Sequence, residues 1–98
     1  GTLLAEKYSK VPFEGKSSTI IPPCFIGENI EIVDSVIGPN VSLENGCRVI
    51  SSKVTNALVG ENSVIENSEI RDSALGESVV LNGVSGTVFL GDYSRVEK

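Results

Sequence analysis

The sequence predicts an all-β fold, a single-stranded parallel β-helix of about five triangular coils preceded by a short N-terminal helix or extension. The main observation is that an aliphatic residue recurs along the chain, in most cases after five or six positions. Helices repeat every 3.6 residues and strands every two, so a period near six indicates a chain that coils with one short strand per repeat. These positions are Ile20, Ile26, Ile32, Ile37, Leu43, Val49, Val54, Val59, Ile65, Ile70, Leu75, Leu81 and Leu90.

The length of one coil follows from five similar segments, IGENIE, LENGCR, VGENSV, LGESVV and LGDYSR. Their first residues are 17, 16, 16 and 15 positions apart. Three segments of five or six residues fill each interval, so each coil should have three flat faces. Segments of the two other faces start at Ile20, Ile37, Val54 and Ile70, and at Ile32, Val49, Ile65 and Leu81.

Each segment contains a second inward position and residues suited to a turn. We expect a small or medium side chain to point inward four places after the first residue. The residues at this position are Ile30, Cys47, Ser63, Val79 and Ser94. Glycine follows the aliphatic residue directly at Gly27, Gly38, Gly60, Gly76 and Gly91, which suits a tight turn.

The first part of the chain has a different composition. Residues 2–9 contain helix formers, and Pro12 ends this segment. The stretch PFEGKSS reads as a linker. We therefore divide the chain into residues 1–18, an N-terminal helix and linker, and residues 19–98, the β-helix domain. Because the sequence contains no Met, we interpret the chain as a fragment whose upstream sequence is missing.

Charge and hydropathy exclude two classes of partner. The formal net charge is −5 and the eight basic residues are scattered, so no nucleic-acid surface is expected. No apolar run approaches the roughly 20 residues that a membrane span requires, and the first residues, GTLLAEKYSK, lack the long apolar stretch of a signal peptide. We expect a soluble, cytoplasmic protein with no membrane partner.

Few side chains in this sequence are suited to catalysis or metal binding. Cys24 and Cys47 fall on inward positions and are interpreted as small buried hydrophobic residues. Four acidic residues share one turn position, with Asn45 interrupting the series, and we interpret them as solvated turn residues; a divalent-cation site is the alternative. These residues are Glu28, Glu61, Glu77 and Asp92. No catalytic, cofactor-binding or metal-binding residue is predicted, so we do not expect this piece to be catalytic by itself.

Segments such as IGPNVS and VGENSV resemble the hexapeptide repeat of left-handed β-helix proteins. Left-handedness is implied by this resemblance, because the general rule for parallel crossovers favours the right-handed form. Many proteins of this type are acyltransferases that use a histidine base, and this chain contains no histidine.

The stretch STIIPPCFIGENIEIVDSVIGPNVSL, followed by ENSVIENSEI, resembles the C-terminal β-helix of sugar-1-phosphate nucleotidyltransferases of the glucose-1-phosphate thymidylyltransferase type. The resemblance implies a noncatalytic oligomerisation or regulatory domain. Nucleotide binding, catalysis and the magnesium site would belong to the missing N-terminal domain of the parent enzyme. GTLLAEKYS resembles the helix that closes that domain, which implies that residues 1–18 are the end of the missing catalytic domain and that Leu3, Leu4 and Tyr8 dock onto it.

The end of the chain offers candidates for a homo-oligomer contact, because a β-helix leaves strand edges and apolar corners uncovered. The candidates are Val88, Phe89, Leu90 and Tyr93. The alternative for Phe89 is that its ring plugs the last coil. For the whole chain, the alternatives are a stand-alone structural or binding module, and an acyltransferase-like protein that lacks its catalytic histidine.

Overall fold

The computed structural model describes residues 18–98 and contains thirteen strands and no helix in that range. All the paired strands run parallel, which confirms the predicted β-helix. The predicted helix at residues 2–9, the linker that follows it and the proposed docking residues Leu3, Leu4 and Tyr8 lie outside the described residues. The strands are β1 (Thr19–Ile20), β2 (Cys24–Ile26), β3 (Glu31–Val33), β4 (Val36–Ile37), β5 (Val41–Leu43), β6 (Arg48–Ile50), β7 (Lys53–Val59), β8 (Val64–Glu66), β9 (Glu69–Leu75), β10 (Val80–Asn82), β11 (Ser85–Gly86), β12 (Phe89–Leu90) and β13 (Arg95–Glu97).

Five coils of three strand segments account for these strands. The first face consists of β1, β4, the first parts of β7 and β9, and β11. The second face consists of β2, β5, the last parts of β7 and β9, and β12. The third face consists of β3, β6, β8, β10 and β13. Strands β7 and β9 each cross a corner, so they contribute to two faces.

The strand register confirms the predicted inward columns. On the first face Ile20, Ile37 and Val54 are aligned, and Ile70 follows them. The fifth coil places Gly86 in this column, so the aliphatic series ends one coil early. The second face aligns Ile26, Leu43, Val59, Leu75 and Leu90. The third face aligns Ile32, Val49, Ile65, Leu81 and Val96.

These columns form the core of the domain. Most of their members are at most 5% exposed, and Ile20, Leu90 and Val96 in the terminal coils are partly buried against the core. The second inward position is also confirmed in the central coils, where Cys47, Ser63 and Val79 are fully buried. Removing about 25 cal/mol per Å² of apolar surface from water is the main stabilising contribution of such a core.

The corners are formed by residues in the left-handed region of backbone conformation. Asn62 has a φ of 60°, and its amide donates to the carbonyl oxygen of Asn45 in the preceding coil at 3.0 Å. Asn67 has a φ of 50°, and its amide bonds the Ile50 carbonyl in the same way. Asn adopts this conformation more readily than most residues, which explains its frequency at the turns of this sequence.

Position 76 requires glycine because the next coil packs closely against it, and not because its φ lies in the left-handed region. A Cβ atom at this position would lie 2.7 Å from the backbone nitrogen of Asp92 and would also overlap the Asp92 side chain. The tight turn that the sequence predicted therefore does not explain why glycine occurs at this position. Close stacking of the coils leaves no space for a side chain here.

Candidate functional site

The outward side of the second face carries a column of uncharged residues that we call the outer stripe. It consists of Phe25, Ser42, Leu58, Ala74 and Phe89, which the strand register aligns one per coil. Phe25 is 49% exposed, Leu58 is 61% exposed and Phe89 is 71% exposed. Among the described residues these are three of the five exposed large hydrophobic side chains. Several exposed large apolar side chains on one face are typical of an interaction site.

Charge separates this face from the other two. No strand residue of the second face is charged, whereas the first face carries Lys53, Glu69 and Arg71. On the third face, Arg48 Nε lies 2.9 Å from Glu31 Oε1 in the neighbouring coil. A partner that covers the five residues of the outer stripe would therefore displace no hydrated charge from the stripe itself, and Asp72 is a charged residue at its border.

Two hollows interrupt the outer stripe because large and small side chains alternate along it. One hollow lies over Ser42, between Phe25 and Leu58. The other lies over Ala74, between Leu58 and Phe89. Along this face, a large side chain in one coil is therefore followed by a hollow in the next coil.

The four predicted oligomer contacts divide into two pairs. Val88 and Leu90 are partly buried and pack against the core. Phe89 and Tyr93 are exposed, at 71% and 72%. Phe89 therefore does not plug the last coil; Leu90 points inward there instead. Among these four candidates, Phe89 and Tyr93 offer accessible rings to a partner.

At the acidic turn position, the short side chains of Asp92 and Asn45 accept hydrogen bonds from the neighbouring coil. Glu28, Glu61, Glu77 and Asp92 are all exposed. Asp92 Oδ1 accepts a hydrogen bond of 2.9 Å from the Glu77 amide, and Asn45 Oδ1 accepts one of 2.8 Å from the Glu28 amide. Among residues 18–98, no group of three or more His, Cys, Asp or Glu side chains is placed to hold a metal ion. The short side chains at this turn position thus connect successive coils.

Cys24 and Cys47 are both thiols outside any disulfide, and their environments differ. Cys47 is fully buried, and its thiol donates to the Gly60 carbonyl oxygen at 3.0 Å. Burial raises the pKa of the Cys47 thiol above its ordinary value, because desolvation disfavours the thiolate. Cys24 is partly exposed, beside the hollow over Ser42. The structure therefore gives Cys47 the properties of an inert core residue.

A column of buried serines was not predicted from the sequence. Ser35, Ser52 and Ser68 occupy the corner before the first face, and each hydroxyl oxygen accepts a hydrogen bond from a backbone amide in the next coil. The donors are Ser52, Ser68 and Val84, at 3.1, 3.1 and 3.0 Å. Each hydroxyl also donates to a carbonyl oxygen two residues earlier. The signal in the sequence is a Ser directly before the first-face segments VI, KV and EI.

Within residues 18–98 there is no helix whose length and hydropathy would allow it to span a bilayer.

Comparison with known proteins gives a partial match. A glucose-1-phosphate thymidylyltransferase from Streptomyces antibioticus is 33% identical over 87 residues. The alignment covers 83% of this chain and 24% of the relative. The chain is a β-helix domain that is similar to a part of this nucleotidyltransferase. This result confirms the resemblance that the sequence predicted, and the domain spans about a quarter of the length of that relative. No protein-family model matches the chain.

Proposed function

We propose that this domain is a noncatalytic oligomerisation or regulatory part of a sugar-phosphate nucleotidyltransferase. The parent reaction joins a nucleoside triphosphate and a sugar 1-phosphate to give a nucleoside diphosphate sugar and pyrophosphate. The observation that carries this proposal is the similarity to a quarter-length stretch of a glucose-1-phosphate thymidylyltransferase.

The chemistry of the described residues supports a noncatalytic role. The chain contains no histidine, and its acidic turn residues are exposed and separated along the turns. Catalysis by proton transfer or nucleophilic attack requires groups held within hydrogen-bond distance of one another. The proposal therefore assigns the reaction, and the magnesium ion that the resemblance implies for it, to an N-terminal domain of the parent enzyme.

The proposed partners follow from the same reasoning. One is a second copy of the parent. The predicted contacts at the end of the β-helix remain Val88, Phe89, Leu90 and Tyr93. The other is the parent's own catalytic domain, with Leu3, Leu4 and Tyr8 as predicted docking residues. A cytoplasmic location remains a prediction as well.

The test uses the complete gene product that contains this chain. We expect purified protein to release pyrophosphate from dTTP and glucose 1-phosphate, or from another pair of nucleoside triphosphate and sugar 1-phosphate. A matched variant without residues 19–98 should keep the active-site residues but lose the native oligomeric state or the response to an effector. Absence of pyrophosphate release with every pair, together with a reading frame that begins at this chain, would instead support a stand-alone binding module.

A further inference from the structure

We propose that the outer stripe is a self-association surface, on which two copies of the domain pack antiparallel about a two-fold axis. The inference rests on the proposed oligomerisation role and names the face that carries it. It differs from the end-on contact predicted from the sequence, although Phe89 belongs to both surfaces.

The order of side chains along the stripe favours a second copy as the partner. Large and small residues alternate as Phe25, Ser42, Leu58, Ala74 and Phe89. This order of sizes is the same when it is read from either end. A two-fold interface brings one patch against itself in the reversed direction, so both copies must present complementary relief in that direction. The stripe meets this requirement, which an unrelated partner would not impose.

A shift of one coil brings large side chains over small ones. Successive coils are about 4.8 Å apart, so a two-fold axis midway between Leu58 and Ala74 aligns the stripes with an offset of one coil. Leu58 then enters the hollow over Ala74 of the partner subunit, and Phe89 enters the hollow over Ser42 of the partner subunit. Leu58 and Phe89 are also the two most exposed members of the stripe.

Electrostatics favours this face over the others. The chain carries a formal net charge of −5, so two copies repel each other at long range. The outer stripe itself contains no charged residue, and the Asp72 carboxylate borders the hollow over Ala74, whereas the other two faces carry charged residues on their strands. Added salt screens the net repulsion and leaves the apolar contact intact. Association through the stripe should therefore strengthen with moderate salt.

The size of the stripe limits its affinity. Four coil spacings of about 4.8 Å give a column about 19 Å long, which is short for a stable interface. We expect a dimer with a dissociation constant in the range of roughly 10 to 500 μM, as for small transient contacts.

Sedimentation equilibrium of the 98-residue chain up to about 1 mM tests the proposal. Leu58→Asp places a charge in the centre of the stripe and should weaken the dimer at least about tenfold. Ser85→Asp adds the same charge at an exposed position of the first face and should leave the dissociation constant within about twofold. Circular dichroism and melting curves check that both variants fold.

Ala74→Leu distinguishes specific packing from non-specific hydrophobic association. This change adds apolar surface but fills the hollow that should receive Leu58 of the partner subunit. Specific packing predicts a weaker dimer, by about tenfold, because filling a packed contact forces the surfaces apart. Non-specific hydrophobic association predicts a stronger dimer and would overturn the proposal.

Failure of the face assignment and failure of the oligomerisation role give different results. A wild-type dimer that Leu58→Asp and Ala74→Leu leave unchanged would overturn the stripe as the contact and keep the oligomerisation role. A wild-type chain that stays monomeric at every concentration would overturn both. Pyrophosphate release by the complete gene product is a separate measurement and does not depend on either result.

Discussion

The inner and outer columns of the second face are one residue apart in the chain, yet they follow different rules. The inner column contains only Ile, Leu and Val, and it is almost fully buried except in the last coil. The outer stripe varies from Ser42 to Phe89, and its large members are about half exposed or more. Because side chains alternate between the two sides of a strand, neighbouring residues experience separate environments. One layer therefore fixes stability, and the other is free to specify a partner.

The largest expected effect comes from truncation in the inner layer. Ile37→Ala removes a fully buried side chain from the first-face column and leaves a cavity between neighbouring coils. We expect a loss of about 2 to 5 kcal/mol in the free energy of unfolding, measured by urea denaturation. Leu58→Ala is the matched control in the outer layer, and at low protein concentration it should change the free energy by less than about 0.5 kcal/mol. Equal losses for the two variants would show that the division into layers is wrong.

Gly76→Ala tests how closely the coils stack. The added Cβ would overlap backbone and side-chain atoms of Asp92, so we expect a loss of about 1 to 3 kcal/mol in stability. Gly91→Ala is the control, since Gly91 holds the equivalent turn position in the last coil and nothing lies within 4 Å of an added Cβ. That change should be neutral or stabilise the fold by up to about 1 kcal/mol, because alanine lowers the conformational entropy of the unfolded chain. A similar loss at both glycines would point to turn conformation as the cause.

Ser52→Ala compares a buried hydroxyl with the partly buried hydroxyl of Ser42. The change leaves the Ser68 amide, which bonds the Ser52 hydroxyl at 3.1 Å, without its acceptor inside the domain. We expect a loss of about 1 to 3 kcal/mol in the free energy of unfolding. Ser42→Ala removes the same hydroxyl from the outer stripe and should cost less than about 0.5 kcal/mol. If Ser52→Ala were as mild as Ser42→Ala, the serine column would contribute little to stability.

The smallest effect is expected at the acidic turns. Glu61→Ala removes one exposed carboxylate and should change stability by less than about 0.5 kcal/mol, measured as a shift in melting temperature. Calcium should leave the melting temperature of the wild-type chain unchanged. A rise of several degrees with calcium, abolished by Glu61→Ala, would instead establish a cation site at this edge.

Much of the fold could be predicted from the sequence because the inner layer repeats. The aliphatic period assigned Ile37, Leu43 and Ile65 to the correct faces, and the register confirms all three columns. The period lapses in the last coil, where Gly86 takes the place of an aliphatic residue and Val96 closes the third column. Neither residue could be assigned by spacing alone, because the last segments vary in length.

The candidate surface was predicted only in part. Phe89 and Tyr93 were selected because they lie near the end of an apolar segment, and the structure shows that both rings are exposed. Phe25 and Leu58 were not selected, since each is a single apolar residue next to a core residue in the sequence. The buried serines were missed for a similar reason, because Ser is also the usual residue of a solvated turn.

The sequence by itself determined the coil length, the three inward columns and the polar turns, because each depends on local spacing and on the exclusion of water from aliphatic side chains. Only the tertiary structure decided which outward residues share a stripe and which hydroxyls connect neighbouring coils. Residues 25, 42, 58, 74 and 89 are 15 to 17 positions apart, and their alignment depends on the register of every coil between them. Contacts between coils are long-range in sequence, so their partners become definite only when the strands are paired.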